Sequence, residues 1–111
     1  MQGESVRERK EALAALGPVL PGSISRQWNV CGKAGCRCKD PRRPQKHGPY
    51  YQLSFTVGGR SFTLFLKARD VAAARQCIRR YRRLRDLNAR LVAAYVALAR
   101  REGVARFGEA Q

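Results

Sequence analysis

The chain has a single histidine, His47, and only eight acidic residues in 111. Hydrolytic and nuclease centres gather two or three carboxylates, or several histidines, around the reacting atom. Between residues 24 and 101 the acids are Asp40, Asp70 and Asp86, each alone in the sequence. A tyrosine nucleophile, Tyr50 or Tyr51, has arginines in the neighbouring sequence but no evident general base. This scarcity argues against an enzyme.

Long apolar runs are missing as well. The longest, Leu91 to Ala99, has nine residues, where a bilayer-spanning helix needs about 20. The first residues, MQGESVRERKEALAALG, mix both charge signs and lack the apolar centre of a secretion signal. There are only four cysteines, and three of them fall between residues 31 and 38, which suits a disulfide framework poorly. That clustering suits a metal in a reducing compartment, so a cytoplasmic protein is expected, with no membrane partner.

What the chain has in excess is positive charge. Its 23 basic residues against 8 acidic ones give a formal +15 at pH 7. Residues 1–23 balance three against three, residues 24–101 carry 19 basic groups against three acids, and the remainder is net −1. The field therefore belongs to the middle of the chain and calls for a polyanionic partner, nucleic acid or an acidic surface.

Apolar periodicity and turn residues give the elements. Residues 4–16 read as a short helix ended by Gly17-Pro18, and Pro21-Gly22 turns into a strand over 23–30. Tyr50–Val57 and Arg60–Lys67 flank Gly58-Gly59, the signal of a hairpin with a two-residue turn. Closing it there pairs Phe55 with Phe62, Leu53 with Leu64 and Tyr51 with Leu66 on one face. The other face receives Thr56 with Ser61, Ser54 with Thr63, Gln52 with Phe65 and Tyr50 with Lys67. From Arg69 to Glu102 one long helix is expected, with Asp70 as cap and Gly103 as stop. Ala74, Cys77, Ile78, Tyr81, Leu84, Leu91 and Tyr95 share one side of it. Arg75, Arg79, Arg82, Arg83 and Arg90 share the other, with Asp86 among them.

Between the first strand and the hairpin, Cys31, Cys36, Cys38 and His47 form a C-x4-C-x-C-x8-H arrangement. Three thiolates and one imidazole suit the closed tetrahedral shell of structural zinc. Their loop is rich in Gly, Pro and charge, with little apolar material to fix its shape. Two alternatives stay open: free thiols with His47 as a turn residue, or Cys77 in place of His47 as fourth ligand. Around these residues stand Lys33, Arg37, Lys39, Arg42, Arg43 and Lys46 against Asp40. Arginine's planar fork matches phosphate oxygens. Trp28, Tyr50 and Phe65 are candidates for stacking on unpaired bases, on the less apolar sheet face or at its edge.

Gly22-Ser23-Ile24, the run C-G-K-x-x-C-x-C from Cys31 to Cys38, H-G-P-Y-Y from His47 to Tyr51, the Gly-Gly hairpin and an Arg-Tyr-Arg-Arg-Leu helix together resemble a family of small prokaryotic proteins of unknown function. The resemblance covers residues 20–100. Members of that family are often encoded beside transposases, so the resemblance implies an accessory role in a mobile element, with no established activity. The stretch from Cys38 to His47, which includes Pro41, Arg42, Arg43 and Pro44, is longer than the resemblance implies.

The expected fold is α+β: a small three-stranded antiparallel sheet with a zinc-pinned loop, a short N-terminal helix and one long C-terminal helix. Residues 1–22 form a helix and turn, 23–103 the main domain, and 104–111 a flexible tail. The expected function is non-enzymatic nucleic-acid binding, DNA slightly favoured over RNA, with phosphates meeting the arginine-rich loop and helix face. The alternative is an adaptor for a larger nucleic-acid enzyme such as a transposase, dimeric through Leu84, Leu91, Tyr95 and Leu98.

Overall fold

The computed structural model describes residues 5–109. In chain order they form helix α1 (Val6–Ala14), strand β1 (Ser23–Asn29), a 3-10 turn (Arg37–Lys39), strands β2 (His47–Val57) and β3 (Arg60–Leu66), a 3-10 turn (Ala68–Asp70), helix α2 (Val71–Glu102) and a last 3-10 segment (Ala105–Glu109). The α+β architecture is the one the sequence predicts. No described helix is long and apolar enough to cross a membrane. The chain divides into two compact units, Leu20–Ile78 and the residues before and after it.

In the unit Leu20–Ile78 the three strands lie antiparallel in the order β1-β2-β3. The hairpin register is the expected one, from Val57 opposite Arg60 to Tyr51 opposite Leu66. Gly58 and Gly59 have φ of 60° and 77°, the left-handed pair that lets a two-residue turn follow the strands' own twist. Phe55 and Phe62 stack at 5.4 Å between ring centroids, and Thr56 Oγ1 lies 3.3 Å from Ser61 Oγ on the opposite face. β1 adds Ile24 opposite Leu53 and Arg26 opposite Tyr51. Leu53, with Ile24 on one side and Leu64 on the other, is 0% exposed.

β2 begins at His47, three residues before the expected start. Gln27 pairs with Tyr50 and Asn29 with His47, so Gly48 and Pro49 together face Trp28 alone. This is a β-bulge, two residues against one. Proline donates nothing to a ladder and so signals a strand end, but a bulge needs no donor at that position. Gly48 is demanded by the close approach of β1: a Cβ there would lie 2.8 Å from the Gln27 carbonyl oxygen and 3.2 Å from the Trp28 ring.

Among the described residues the buried apolar ones of this unit are few: Cys38, Leu53, Val71, Ala74 and Ile78. A body of this size rarely holds itself together on its core alone, and natural small domains add disulfides or a metal. None of the four cysteines is in a disulfide.

In the other unit, Ser5 caps α1, its Oγ accepting the Glu8 N–H at 3.1 Å. The Arg9 guanidinium donates to the Arg90 carbonyl, and Arg80 donates to the Pro18 carbonyl at 3.2 Å. Leu87 is the buried centre at 1% exposure. It lies off the predicted stripe because burial along this part of α2 follows Leu84, Leu87, Leu91, Ala94 and Leu98, a spacing of three and four residues. A projection carried forward from Ala74 at 100° per residue turns Leu87 aside. Tyr95 meets Phe107 edge-on at 5.8 Å, and the Gly103 N–H bonds the Ala99 carbonyl at 2.7 Å where the helix ends.

Candidate metal centre

The β1–β2 ladder assembles the site. Asn29 pairs with His47, so the strand leading to Cys31 and the strand opened by His47 run together at one end of the sheet. The intervening loop folds back through a 3-10 turn in which the Lys39 N–H bonds the Cys36 carbonyl at 3.0 Å. The Gln45 N–H then closes on the Arg37 carbonyl at 2.9 Å. Asp40 Oδ1 accepts the backbone N–H groups of Arg42 at 2.9 Å and Arg43 at 3.3 Å, an Asx turn that fixes the course of the chain between two prolines.

Four side chains meet inside this fold. The ligand atoms of Cys31, Cys36, Cys38 and His47 all lie within 4.8 Å of one another. Cys31 and Cys38 sulfurs are 3.7 Å apart, and Cys36 Sγ is 3.3 Å from His47 Nε2. Zinc–ligand bonds of about 2.3 Å to sulfur and about 2.0 Å to nitrogen, arranged tetrahedrally, put sulfurs about 3.8 Å apart and sulfur and nitrogen about 3.5 Å apart. The donor set suits a closed shell, the two close pairs lie near these separations, and the four residues are placed where they could hold a metal ion. Cys77, on α2, stands outside the group; its carbonyl accepts the Leu20 N–H at 3.1 Å.

The backbone prepares the sulfurs. The Cys38 N–H, then the Cys31 and Cys38 thiols and His47, stabilise the Cys36 thiolate and hold its pKa down to about 6. At Cys38 the Cys31 N–H, 3.3 Å from the sulfur, favours the thiolate. Burial and the adjacent thiols outweigh that contact and push the Cys38 pKa up. At 1% exposure, a charged Cys38 sulfur calls for a cation beside it.

Lys33, Arg37, Lys39, Arg42, Arg43 and Lys46 are all exposed around this cluster. Among the described residues none of the six forms an ion pair with a carboxylate. The helix arginines divide. Arg83 and Arg90 both reach Asp86, at 3.4 and 3.1 Å, whereas Arg75, Arg79 and Arg82 stand exposed with no such ion pair. Of the aromatic candidates, Trp28 is half-exposed beside Gly48 at the bulge, and Tyr50 and Phe65 are exposed on the polar face of the sheet. Arg60, read from the sequence only as a strand residue, places its guanidinium 5.9 Å from the Phe62 ring centre. Arg60 next to the turn and Phe62 two residues on, sharing a face by period-two alternation, was the signal for it.

A family described as a domain of unknown function (DUF6788) matches residues 3–76. The chain belongs to this family. The DUF6788 match takes in all four clustered ligands, the cationic loop and the whole sheet, and it ends early in α2, before Arg79. No curated protein and no solved structure matches the chain.

Proposed function

We propose that this protein is a non-enzymatic, zinc-stabilised nucleic-acid-binding module. Zinc sits on Cys31, Cys36, Cys38 and His47 as a structural ion, its four positions filled by protein so that none is left for water or substrate. Its work is to hold the loop rigid. The observation that carries the reading is the coincidence of two features in one loop: three thiols and an imidazole gathered within 4.8 Å of one another, and six exposed cations that have no carboxylate partner among the described residues.

Arg37, Arg42 and Arg43 meet phosphate oxygens, or guanine edges where a groove admits them, because a rigid loop presents guanidinium groups at low entropic cost. Arg75, Arg79 and Arg82, exposed on α2, offer phosphate contacts of their own. The transposase neighbourhood implied by the family resemblance favours DNA and an accessory role in a mobile element. The test joins metal analysis to a salt titration of binding. About one zinc per chain is expected, with an affinity for nucleic acid that falls steeply and linearly on a log–log scale of salt. Well under one zinc per chain, or an affinity indifferent to salt, overturns the proposal.

A further inference from the structure

The polar face of the sheet carries something the fold does not use. Phe65 is 78% exposed, and Tyr50 on the same face is 45% exposed. Phe65 lies opposite Gln52 and follows Thr63 along its side of β3, in a row where a threonine would serve the sheet equally well. A lone exposed phenylalanine needs no explanation; two rings on one face do. Tyr50 sits two residues before Gln52 on the adjoining strand, which makes Tyr50 and Phe65 diagonal neighbours on the ladder, their backbone positions roughly 7 Å apart. Lys67, exposed and still extended at φ −76° and ψ 152°, follows the last paired residue of β3, Leu66. Gln27 flanks Tyr50 from the other strand.

We infer that this face is a stacking platform for the unpaired bases of a single-stranded nucleic acid, with Phe65 and Tyr50 each taking one base. The inference rests on the nucleic-acid reading above and names the form of the ligand. Charge complementarity selects the occupant: residues 20–78 carry eleven basic side chains against Asp40 and Asp70, and Tyr50 is three residues from His47, where the cationic loop ends. A partner with acidic backbone and flat apolar faces matches both features, and every base presents such a face. A duplex offers the phosphates but keeps its bases stacked inside.

The test measures binding of fluorescent 12-nucleotide single strands, as DNA and as RNA, and of the corresponding duplex, at low salt. The tighter single strand is expected to bind more strongly than the duplex. Phe65→Ala and Tyr50→Ala are each expected to weaken it by roughly 5- to 150-fold while leaving duplex affinity unchanged. Circular dichroism checks that the exposed substitutions leave the fold intact. Arg42→Glu with Arg43→Glu weakens single strand and duplex alike. Single-strand affinity untouched by Phe65→Ala, or a duplex preferred to both single strands, overturns the platform and leaves the phosphate-binding reading standing. Wild-type protein that binds no probe overturns that reading and this one with it.

Discussion

Cys36 Sγ lies 3.3 Å from His47 Nε2 although the two are eleven positions apart in the chain. The loop between them is turned back by the Gln45–Arg37 bond and the Asp40 Asx turn, and its end is carried to the site by the first residue of β2. The same contact ties loop to sheet, so losing it frees the loop from the ladder.

Replacing Cys36 or Cys38 by Ser is therefore expected to abolish stoichiometric zinc and to lower the melting temperature, because metal binding and folding share one free energy. A strong chelator added to wild-type protein is expected to do the same, reversibly on return of zinc. Atomic absorption and thermal unfolding check this. Unchanged melting after complete metal removal would falsify a structural role for the ion.

Gly48 makes a separate prediction about the sheet end. Alanine there takes a strained backbone at φ 141° and sets its Cβ against the Gln27 carbonyl. A residue forced into such a conformation costs about 1–3 kcal/mol, and the clash adds to it. Gly48→Ala is expected to destabilise the protein by at least about 2 kcal/mol in urea unfolding and to weaken zinc binding, although it touches no ligand atom.

These two sites differ in how far the sequence revealed them. The Cys/His cluster was legible because soft and borderline donors at short spacing in a loop poor in apolar residues have few other uses. The hairpin register was legible because Gly58-Gly59 and the alternation on both flanking strands point to one pairing. The bulge at Gly48-Pro49 was not, since proline reads locally as a break and only the opposing strand shows that the extra residue is accommodated. Leu87 escaped for a related reason: burial on a long helix follows whatever packs beside it, and a constant angular step cannot register a change of partner. The sharing of Asp86 by Arg83 and Arg90 was half legible: spacings of three and four residues on one helix side allow both pairs, but the sequence does not say which arginines Asp86 takes.

Leu53 and Leu87 are each the buried centre of their own unit. Truncation to alanine at either is expected to cost about 2–5 kcal/mol, the lost transfer energy together with a cavity. Their effects on the metal should differ. Leu53 belongs to the strand that His47 opens, so Leu53→Ala lowers zinc affinity, whereas Leu87→Ala leaves the zinc content of folded protein at the wild-type value. Equilibrium unfolding with parallel zinc titrations distinguishes the two.

The last prediction separates loop from helix in the binding of phosphates. Arg42 and Arg43 are exposed on a loop whose backbone Asp40 fixes, and Arg79 and Arg82 are exposed on α2 clear of the Asp86 pairs. Each phosphate contact removed reduces the log–log salt slope by about 1. Arg42→Ala with Arg43→Ala is expected to flatten the slope by about 2 and to relax any base preference. Arg79→Ala with Arg82→Ala flattens it by a similar amount and weakens all sequences equally, because a point of backbone contact carries no sequence information. Arg83→Ala is expected to change affinity less than Arg82→Ala, since Asp86 already shares its charge. Equal losses from Arg82 and Arg83, read at one salt concentration on one probe, would show that the Asp86 pairing does not hold Arg83 back from the ligand.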